Sequence, residues 1–340
     1  MKVNIRVISQ KTGFSPATVS NALNGKKGVS KETISKIVKT AEELGYEPST
    51  SASKIKFVIY RKNGLIIDEN PISASMIEGV EKKAKELGYE TLICHLDYEG
   101  ITFYQDVERI LDDENSPIIL LGTEMLEEDY KFFYKGKDRI IVLDGWCEES
   151  LFNSILIDNA DSAYKSVNYL IKHGHRDIGY LQGDYRINAF QYRKDGYIKA
   201  LLKNGITLDD KFIVTLGTRL ESAYKDMMCY LEGKKELPTA FFSDNDIIAI
   251  GAIKALQERG IRVPEDISII GFDDMNYSRV STPKLTTVKV FQQEMGELAM
   301  ARIDKINRVP KNIVEKVQIC TKLIERDSVM QLQAQQMTGE

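Results

Sequence analysis

The chain has 340 residues, 43% of them hydrophobic, and a formal net charge of −4. This length exceeds one ordinary domain, and the hydrophobic content is sufficient to build buried cores. No apolar run approaches the roughly 18 residues of a membrane span, and no signal peptide follows Met1. The sequence therefore predicts a cytoplasmic protein without a membrane segment.

The cysteines and histidines form no pattern typical of a disulfide framework or of a metal site. Only His173 and His175 lie close together, and the cysteines are widely separated at Cys94, Cys147, Cys229 and Cys320. The sequence also has no glycine-rich phosphate loop, no dinucleotide fingerprint and no GxSxG motif. We therefore expect reduced thiols, no metal, no cofactor and no enzymatic activity.

The charge is unevenly distributed along the chain. Residues 1–56 contain nine Lys and one Arg against four Glu, a net charge of +6, which leaves −10 for the remainder. A small basic segment attached to an acidic body is typical of a domain that contacts nucleic acid. A solvated basic segment with no partner is the alternative.

Three short helices are predicted in this basic segment. The first carries Ile5, Val7 and Ile8 and ends at Gly13. Ser15 is predicted to cap the second, which has Pro16 at its first position. Ser30 is predicted to cap the third, which Gly45 closes after an apolar stripe formed by Ile34, Ile37, Val38, Ala41 and Leu44.

The second helix begins with short side chains where a helix built only for packing would have larger ones. Two helices joined by a tight turn predict a helix-turn-helix, whose second helix enters the major groove N-terminus first. We expect base contacts from Pro16, Ala17, Thr18 and Asn21. We expect phosphate contacts from Ser15, Lys26, Lys27 and Lys31. A three-helix protein-binding module is the alternative.

From Lys56 onward, strands and helices alternate. Strand-like runs include KFVIY, PIILLG, RIIVLD, DIGYL, TAFFSD and ISIIGFDD, and helix-like runs lie between several of them. Repeated βα units predict an α/β body of two doubly wound parallel-sheet lobes. Ligands bind beyond the carboxyl ends of the strands in such sheets, so two facing lobes predict a ligand-binding cleft.

Several motifs stand out in both parts of the chain: SPATVS, LNG, VS and LGY.P within residues 6–48, and KHGHRDIGYLQG, SDNDIIAIGAIKALQERGIRVPEDISIIGFDD and STPKLTTVKV in the body. These motifs carry a close resemblance to the lactose-repressor/galactose-repressor family, to its DNA-binding head in residues 6–48 and to its effector-binding body in the rest. The resemblance implies a helix-turn-helix head and a periplasmic-binding-protein-like body. It also implies a homodimer on a double-stranded operator, repression, and a small effector, a sugar or a derivative, bound between the lobes.

The resemblance further implies effector contacts from Arg193, Asp273 and Asn245. Beside it, we expect Asp274 to form a cap or salt bridge within its loop and Asp246 to cap its helix. The position of Asp144 and Trp146 after RIIVLD predicts that they face the cleft, although Trp146 could equally fill the core. Arg61 is a candidate contact for an anionic group of the effector. For Arg61 and Lys62, the favoured alternative is a strand end whose charges are solvated.

The predicted domains are a head at 1–48, a short hinge at 49–56, a body at 57–330 and a polar tail at 331–340. The N-lobe comprises about 57–155 and 287–317, and the C-lobe about 156–286 and 318–330, with crossings near 153–157, 284–290 and 316–320. The hinge is roughly seven residues shorter than in the family, and its Ser-rich sequence is a poor helix former. Ile55 aligns with the family residue that contacts the minor groove of the operator. The alternative is that Ile55 belongs to the first strand of the body.

Besides the short hinge, two departures from the family leave the specificity open. Asn21 stands where a basic residue is frequent, and Thr218 stands where an aromatic residue often stacks on sugars. An enzyme and a transport binding protein are the rival classes. The lack of catalytic motifs argues against the first, and the lack of a signal peptide together with the presence of the head argues against the second. A regulator that acts without an effector, or with a corepressor, is the alternative within the same class.

Overall fold

The computed structural model describes residues 5–23, 29–44, 46, 53–69, 72–149, 152–233, 236–308 and 313–332. Its residues form two compact units, Met1–Ser53 and Lys54–Glu340, which are the head and the body. Lys26, Lys27, Gly45, the first half of the predicted hinge (49–52) and most of the predicted tail lie outside the described residues.

The head consists of three helices, α1 (Ile5–Thr12), α2 (Pro16–Leu23) and α3 (Lys31–Glu43). Gly13, which follows α1, has a φ of +74°, a backbone conformation that glycine adopts without steric cost. The small core of the head comprises Ile8, Val19, Ala22, Ile37 and Ala41, with the larger side chains of Ile5, Phe14, Leu23, Ile34 and Leu44 packed around it. The predicted helical pattern of the head is confirmed.

Hydrogen bonds at two helix N-termini confirm the predicted caps. The Thr18 amide donates to Ser15 Oγ over 3.1 Å, and the Thr33 amide donates to Ser30 Oγ over 3.2 Å. Each serine thus satisfies an amide that has no partner within its own helix.

The body contains twelve strands among its described residues. They are β1 Ser53–Arg61, β2 Tyr89–Asp97, β3 Ile118–Leu121, β4 Ile140–Leu143, β5 Asn153–Ile157, β6 Ile178–Gly183, β7 Ile213–Leu216, β8 Ala240–Ser243, β9 Ser268–Asp273, β10 Thr286–Lys289, β11 Lys316–Ile319 and β12 Lys322–Ile324. The helices are α4 Ile72–Leu87, α5 Phe103–Asp112, α6 Asn159–Lys172, α7 Asn188–Lys203, α8 Leu220–Leu231, α9 Asp246–Glu258, α10 Asn276–Val280 and α11 Gln292–Arg308. Two 3-10 segments, Glu127–Arg139 and Asp210–Phe212, complete it.

The strands form two six-stranded sheets, which confirm the predicted two-lobed α/β body. The N-lobe sheet has the order β11-β5-β4-β3-β1-β2, and the C-lobe sheet has the order β12-β10-β9-β8-β6-β7. Neighbours such as β3 and β4 pair in parallel, whereas β10 and β12 pair antiparallel. The chain passes between the sheets after β5, β10 and β11, at or next to the crossings expected near 153–157, 284–290 and 316–320.

In the N-lobe, α11 packs closely against α4. A Cβ added at Gly79 would lie 2.0 Å from the Gln293 carbonyl oxygen, and one at Gly296 would lie 2.2 Å from the Met76 carbonyl oxygen. These distances are far below van der Waals contact, so both helices need a glycine where they meet. The close packing joins an early helix of the chain to a late one in the same lobe.

The position of Ile55 corrects one sequence prediction. Strand β1 begins at Ser53, so the last residues of the predicted hinge are already part of the N-lobe sheet. Ile55 is fully buried there, in a cluster that includes Phe57 and Ile119. The prediction that Ile55 contacts DNA is wrong for this structure, because burial in the sheet leaves the side chain no surface to offer to a groove.

Candidate functional site

In the head, the N-terminal turn of α2 presents the predicted base-contacting residues. Val19 and Ala22 are buried on one side of this helix, whereas Pro16 and Ala17 are exposed and Asn21 is half-buried. The Thr18 hydroxyl lies 2.9 Å from Ser15 Oγ, so it is partly engaged within the cap. Lys31 begins α3, but its side chain lies outside the described part of the structure.

In the body, Arg193 is a buried side chain whose hydrogen-bond donors are directed at other parts of the protein. It lies on α7 and is only 3% exposed. Its Nε donates to Asn159 Oδ1 over 2.9 Å, its Nη1 donates to the Asp244 carbonyl oxygen, and its Nη2 lies 3.3 Å from Asp273 Oδ1. The guanidinium also stacks 3.6 Å from the centroid of the Phe272 ring. The structure therefore places the two predicted effector residues, Arg193 and Asp273, in one buried ion pair.

The carboxyl ends of β8 and β9 hold the next candidates. Asn245 caps α9, with its Oδ1 accepting a 2.9 Å hydrogen bond from the Ile248 amide, so the cap predicted for Asp246 is formed by its neighbour. Asp246 instead accepts hydrogen bonds from the Met275 amide over 2.8 Å and from the Thr287 hydroxyl. Burial, followed by the charge of Asp273, raises the pKa of Asp246 well above its ordinary value.

Asp274 follows the alternative that the sequence favoured. Its carboxylate pairs with Arg279 at 3.0 Å and also with Arg326. The prediction that Asp274 forms a salt bridge within its own loop is confirmed for Arg279.

A cavity of about 250 Å³ lies at the carboxyl ends of β3, β4 and β5. Asp144 and Trp146 line it, in agreement with the prediction that they face the cleft. The Trp146 Nε1 donates to the Tyr192 hydroxyl oxygen over 2.6 Å, so a residue of α7 in the opposite lobe helps to fix the ring. Trp146 is half-buried and forms a wall of the cavity.

Asp144 is the buried carboxyl group of this cavity. Its Oδ2 accepts a 2.7 Å hydrogen bond from the Thr123 hydroxyl, and its backbone φ is +56°. Burial raises the pKa of Asp144 to about 6, against the opposing effects of the Thr123 hydrogen bond and the Arg193 charge. A carboxyl group with so little compensation for its burial is suited to accept a hydrogen bond from a ligand.

The polar residues of the same cavity that were missed from the sequence include Asn188, Lys316 and Gln318, in addition to Thr123, Asn159 and Tyr192. Lys316 and Gln318 are exposed and alternate with the half-buried Val317 and Ile319 along β11, a period of two that marks one face of a strand. The Lys316 ammonium group lies over the Trp146 ring, and burial lowers its pKa to about 8. The signal was present in EKVQIC, but only the sheet shows which face of this strand borders the cavity.

Arg61 does not line this cavity. Its guanidinium makes two hydrogen bonds with Asp68, at 2.9 and 2.7 Å, and one with Asp97 at 3.0 Å. These carboxylates raise its pKa above the ordinary value. Lys62 pairs with Asp129 at 2.9 Å and with Glu128 at 2.9 Å. The charge of Arg61, proposed from the sequence to contact an anionic group, is therefore neutralised by carboxylates of the N-lobe itself.

The loop that follows β1 reaches the C-lobe. Fully buried Glu124 holds this loop by accepting hydrogen bonds from the backbone amides of Lys62, Asn63, Gly64, Ile66 and Ile67. The Ile66 side chain packs with Ile187 and Phe190 of the C-lobe. At the end of the loop, Glu69 Oε2 accepts a 2.8 Å hydrogen bond from the Leu220 amide. The lobes are thus in direct contact beside the Arg193–Asp273 pair.

No group of three or more His, Cys, Asp or Glu side chains in the described part of the chain is arranged to hold a metal ion. No helix there is long and apolar enough to cross a membrane.

Comparison with known proteins agrees with this architecture. Residues 4–49 match the family described as bacterial regulatory proteins, lacI family, and residues 167–329 match the periplasmic binding protein-like domain. The HTH-type transcriptional repressor PurR of Serratia proteamaculans (strain 568) is 34% identical over 340 residues, covering 96% of each chain.

Two solved structures share the fold. A transcriptional regulator CelR–cellobiose complex aligns with a TM-score of 0.72 and 22% identity, covering 96% of this chain and 99% of that one. The lac repressor dimer bound to operator and the anti-inducer ONPF aligns with a TM-score of 0.70 and 22% identity, covering 97% and 100%. On these matches, the chain belongs to the lacI family of bacterial regulatory proteins, a DNA-binding transcriptional regulator with a helix-turn-helix head and a periplasmic-binding-protein-like body.

Proposed function

We propose that the protein is a homodimeric transcriptional repressor whose operator affinity depends on a small sugar-like effector bound between the lobes. The proposal rests mainly on the exposed N-terminal turn of α2 in a basic head. The same chain continues into a two-lobed body that contains a cavity. Such a repressor acts in the cytoplasm, where the DNA is. The assignment as a repressor is supported by the PurR relative, which is an HTH-type transcriptional repressor.

In the head, the proposed readers of base edges are Pro16, Ala17, Thr18 and Asn21. Asn21 offers both a donor and an acceptor on the half-buried side of α2, and Ala17 offers a methyl group for a thymine methyl. Ser15, Lys26, Lys27 and Lys31 are proposed to contact phosphates, which fixes the register of the head without reading the sequence.

The proposed dimer is supported by apolar side chains on the surface of the body. Leu92 and Ile93 on β2, an edge strand, are 48% and 39% exposed, and Tyr277 and Val280 on α10 are 55% and 77% exposed. Apolar groups at a sheet edge are typical of surfaces that another chain covers. Two-fold symmetry would then present two heads to a pseudo-palindromic operator.

The proposed effector site is the cavity bordered by Asp144 and Trp146. A carboxyl group and an aromatic wall are the groups with which proteins bind the hydroxyls and the apolar face of a sugar. The CelR structure, described as a cellobiose complex, supports a sugar as the ligand class. A ligand that contacts both lobes would favour their closed arrangement and so change operator affinity.

A second candidate is a regulator whose lobes close without an effector. Ile66 already packs against the C-lobe, and Arg193 and Asp273 already pair with each other. Under this alternative, the protein's own side chains occupy the region that the sequence assigned to a ligand, and operator affinity would not respond to small molecules.

Gel retardation with the promoter DNA of the protein's own gene tests the DNA-binding function. We expect Asn21→Ala to lose discrimination between operator and random DNA by about 1–3 kcal/mol if its contact is bidentate. Lys31→Ala should weaken binding to both DNAs alike and reduce the salt dependence. Binding that is equally weak for operator and random DNA in the unaltered protein would contradict sequence-specific recognition.

Analytical ultracentrifugation and a ligand screen test the remaining parts. A monomer at micromolar concentration would contradict the dimer. A thermal-unfolding screen of sugars, sugar phosphates and nucleosides should find a ligand that raises the unfolding temperature, because binding to the folded state stabilises it. The same ligand should change operator affinity, and no such change would favour the second candidate.

A further inference from the structure

The polar side chains of the cavity differ in whether they would accept a hydrogen bond from a ligand or donate one to it. Asp144 accepts a hydrogen bond from Thr123 and retains further lone pairs, so it calls for a donor such as a sugar hydroxyl. The side chains of Asn188, Lys316 and Gln318 make no hydrogen bond or ion pair with another side chain or backbone group in the described ranges. Lys316 carries three donors and no acceptor, so it calls for an acceptor.

The surroundings of Lys316 leave its charge without a close counter-ion. The carboxylate of Glu148 is the one whose charge raises the pKa of Lys316, and the two side chains form no ion pair within the described residues. The ammonium group lies instead over the Trp146 ring. A cation beside an aromatic wall, with neighbouring amide side chains, is an arrangement that binds an anionic group through charge-assisted hydrogen bonds.

The size of the cavity limits the ligand. Its volume of about 250 Å³ is smaller than the roughly 300–1,000 Å³ of sites for drug-sized ligands, which favours a ligand of monosaccharide size. Trp146 and Tyr192 supply flat apolar surface on one side. Arg193 does not line the cavity and is committed to the buried contacts described above, so Lys316 is the cation that a ligand there would meet.

We propose that the cavity binds an anionic monosaccharide, with hydroxyl groups donating to Asp144 and a single acidic group held by Lys316, Gln318 and Asn188. This inference rests on the proposed effector function and specifies the ligand class of the same site. It distinguishes the protein from a receptor for neutral sugars, because selectivity comes from a cation on β11.

Matched ligands test the proposal. Glucose, glucuronate and glucose 6-phosphate, and the corresponding galactose series, are titrated into the full-length protein by calorimetry at low and at physiological salt. At least one acidic ligand should bind at least ten-fold more tightly than its neutral parent. Whether the carboxylate or the phosphate binds identifies the acidic group. Equal binding of acidic and neutral ligands, or no binding of any acidic ligand, would overturn the proposal.

Variants identify the cation responsible. Lys316→Met keeps the aliphatic length of the side chain but removes the charge, and it should reduce the acidic-to-neutral ratio to about one. The control, Lys322→Met, changes an exposed lysine on β12 outside the cavity and should leave the ratio unchanged. An unchanged ratio in Lys316→Met would overturn the assignment. Operator retardation, measured on the same samples, distinguishes failure of this inference from failure of the proposed function. If the protein binds the operator but binds acidic and neutral sugars with equal affinity, only the inference of an anionic ligand is overturned.

Discussion

The two polar regions of the body at the carboxyl ends of its strands use their charged side chains differently. The Arg193–Asp273 pair is almost completely buried, with partners supplied by Asn159, the Asp244 carbonyl group and the Phe272 ring. The cavity near Trp146 instead borders an exposed Lys316 and a buried carboxyl group with a raised pKa. A side chain that matches a binding motif is therefore not always free to contact a ligand. Whether it is free depends on the groups with which it pairs in the folded protein.

The largest expected effect concerns the buried pair. Arg193→Ala should destabilise the body by about 3–5 kcal/mol, because Asp273 would remain buried without its counter-charge. Urea unfolding measures this difference. The control is Arg262→Ala, which breaks a solvent-exposed pair with Asp266 and should cost much less stability, because water screens that pair. Similar losses in the two variants would contradict the contrast between the regions.

The next effect concerns Ile55, which the structure moves from the DNA interface to the core. Ile55→Ala should destabilise the body by about 2–5 kcal/mol through the cavity it leaves. Operator bending, measured by the mobility of circularly permuted DNA fragments, should not change. A smaller bend with unchanged stability would restore the minor-groove role.

Asp144 should show an effect that depends on pH. Its folded-state pKa of about 6 lies above the ordinary value, so the protonated carboxyl is favoured in the folded state. The carboxylate therefore lowers stability as the pH rises from about 4 to about 6, and the loss is complete above that range. Asp144→Asn should be more stable by up to about 3 kcal/mol at pH 7.5, with the advantage disappearing near pH 4. A pH-independent difference in denaturant unfolding would contradict this assignment.

The smallest effect concerns the contact between the lobes. Arg219 lies 3.6 Å from Asp68, and both side chains are more than a third exposed. Arg219→Ala should change the unfolding free energy by less than about 1 kcal/mol, and less at high salt. Ile66→Ala, at the buried part of the same contact, should have a larger effect that salt does not alter. The reverse order would show that charge rather than apolar packing joins the lobes.

Prediction from the sequence succeeded where local signals sufficed. Ser15 and Ser30 cap their helices because a serine before a helix satisfies the same backbone amides in any fold. The alternation of buried strands and helices also led to the correct α/β body. Helices α5, α8, α10 and α11 were not identified, and the cap at Asn245 was assigned to the next residue. The difference between a cap at Asn245 and one at Asp246 is a shift of one residue, which a hydrophobic pattern does not resolve.

By itself, the sequence determined the class of the protein: a basic helix-turn-helix head, two parallel-sheet lobes and membership of a regulator family. Only the tertiary structure decided which side chains are available. It paired Arg193 with Asp273, neutralised Arg61 with Asp68 and Asp97, and brought Lys316 beside Trp146 across a gap of many residues in the chain. The physical reason is that helix caps and strand patterns arise from neighbours in the sequence, whereas charge pairing and burial depend on groups that only the folded chain brings together.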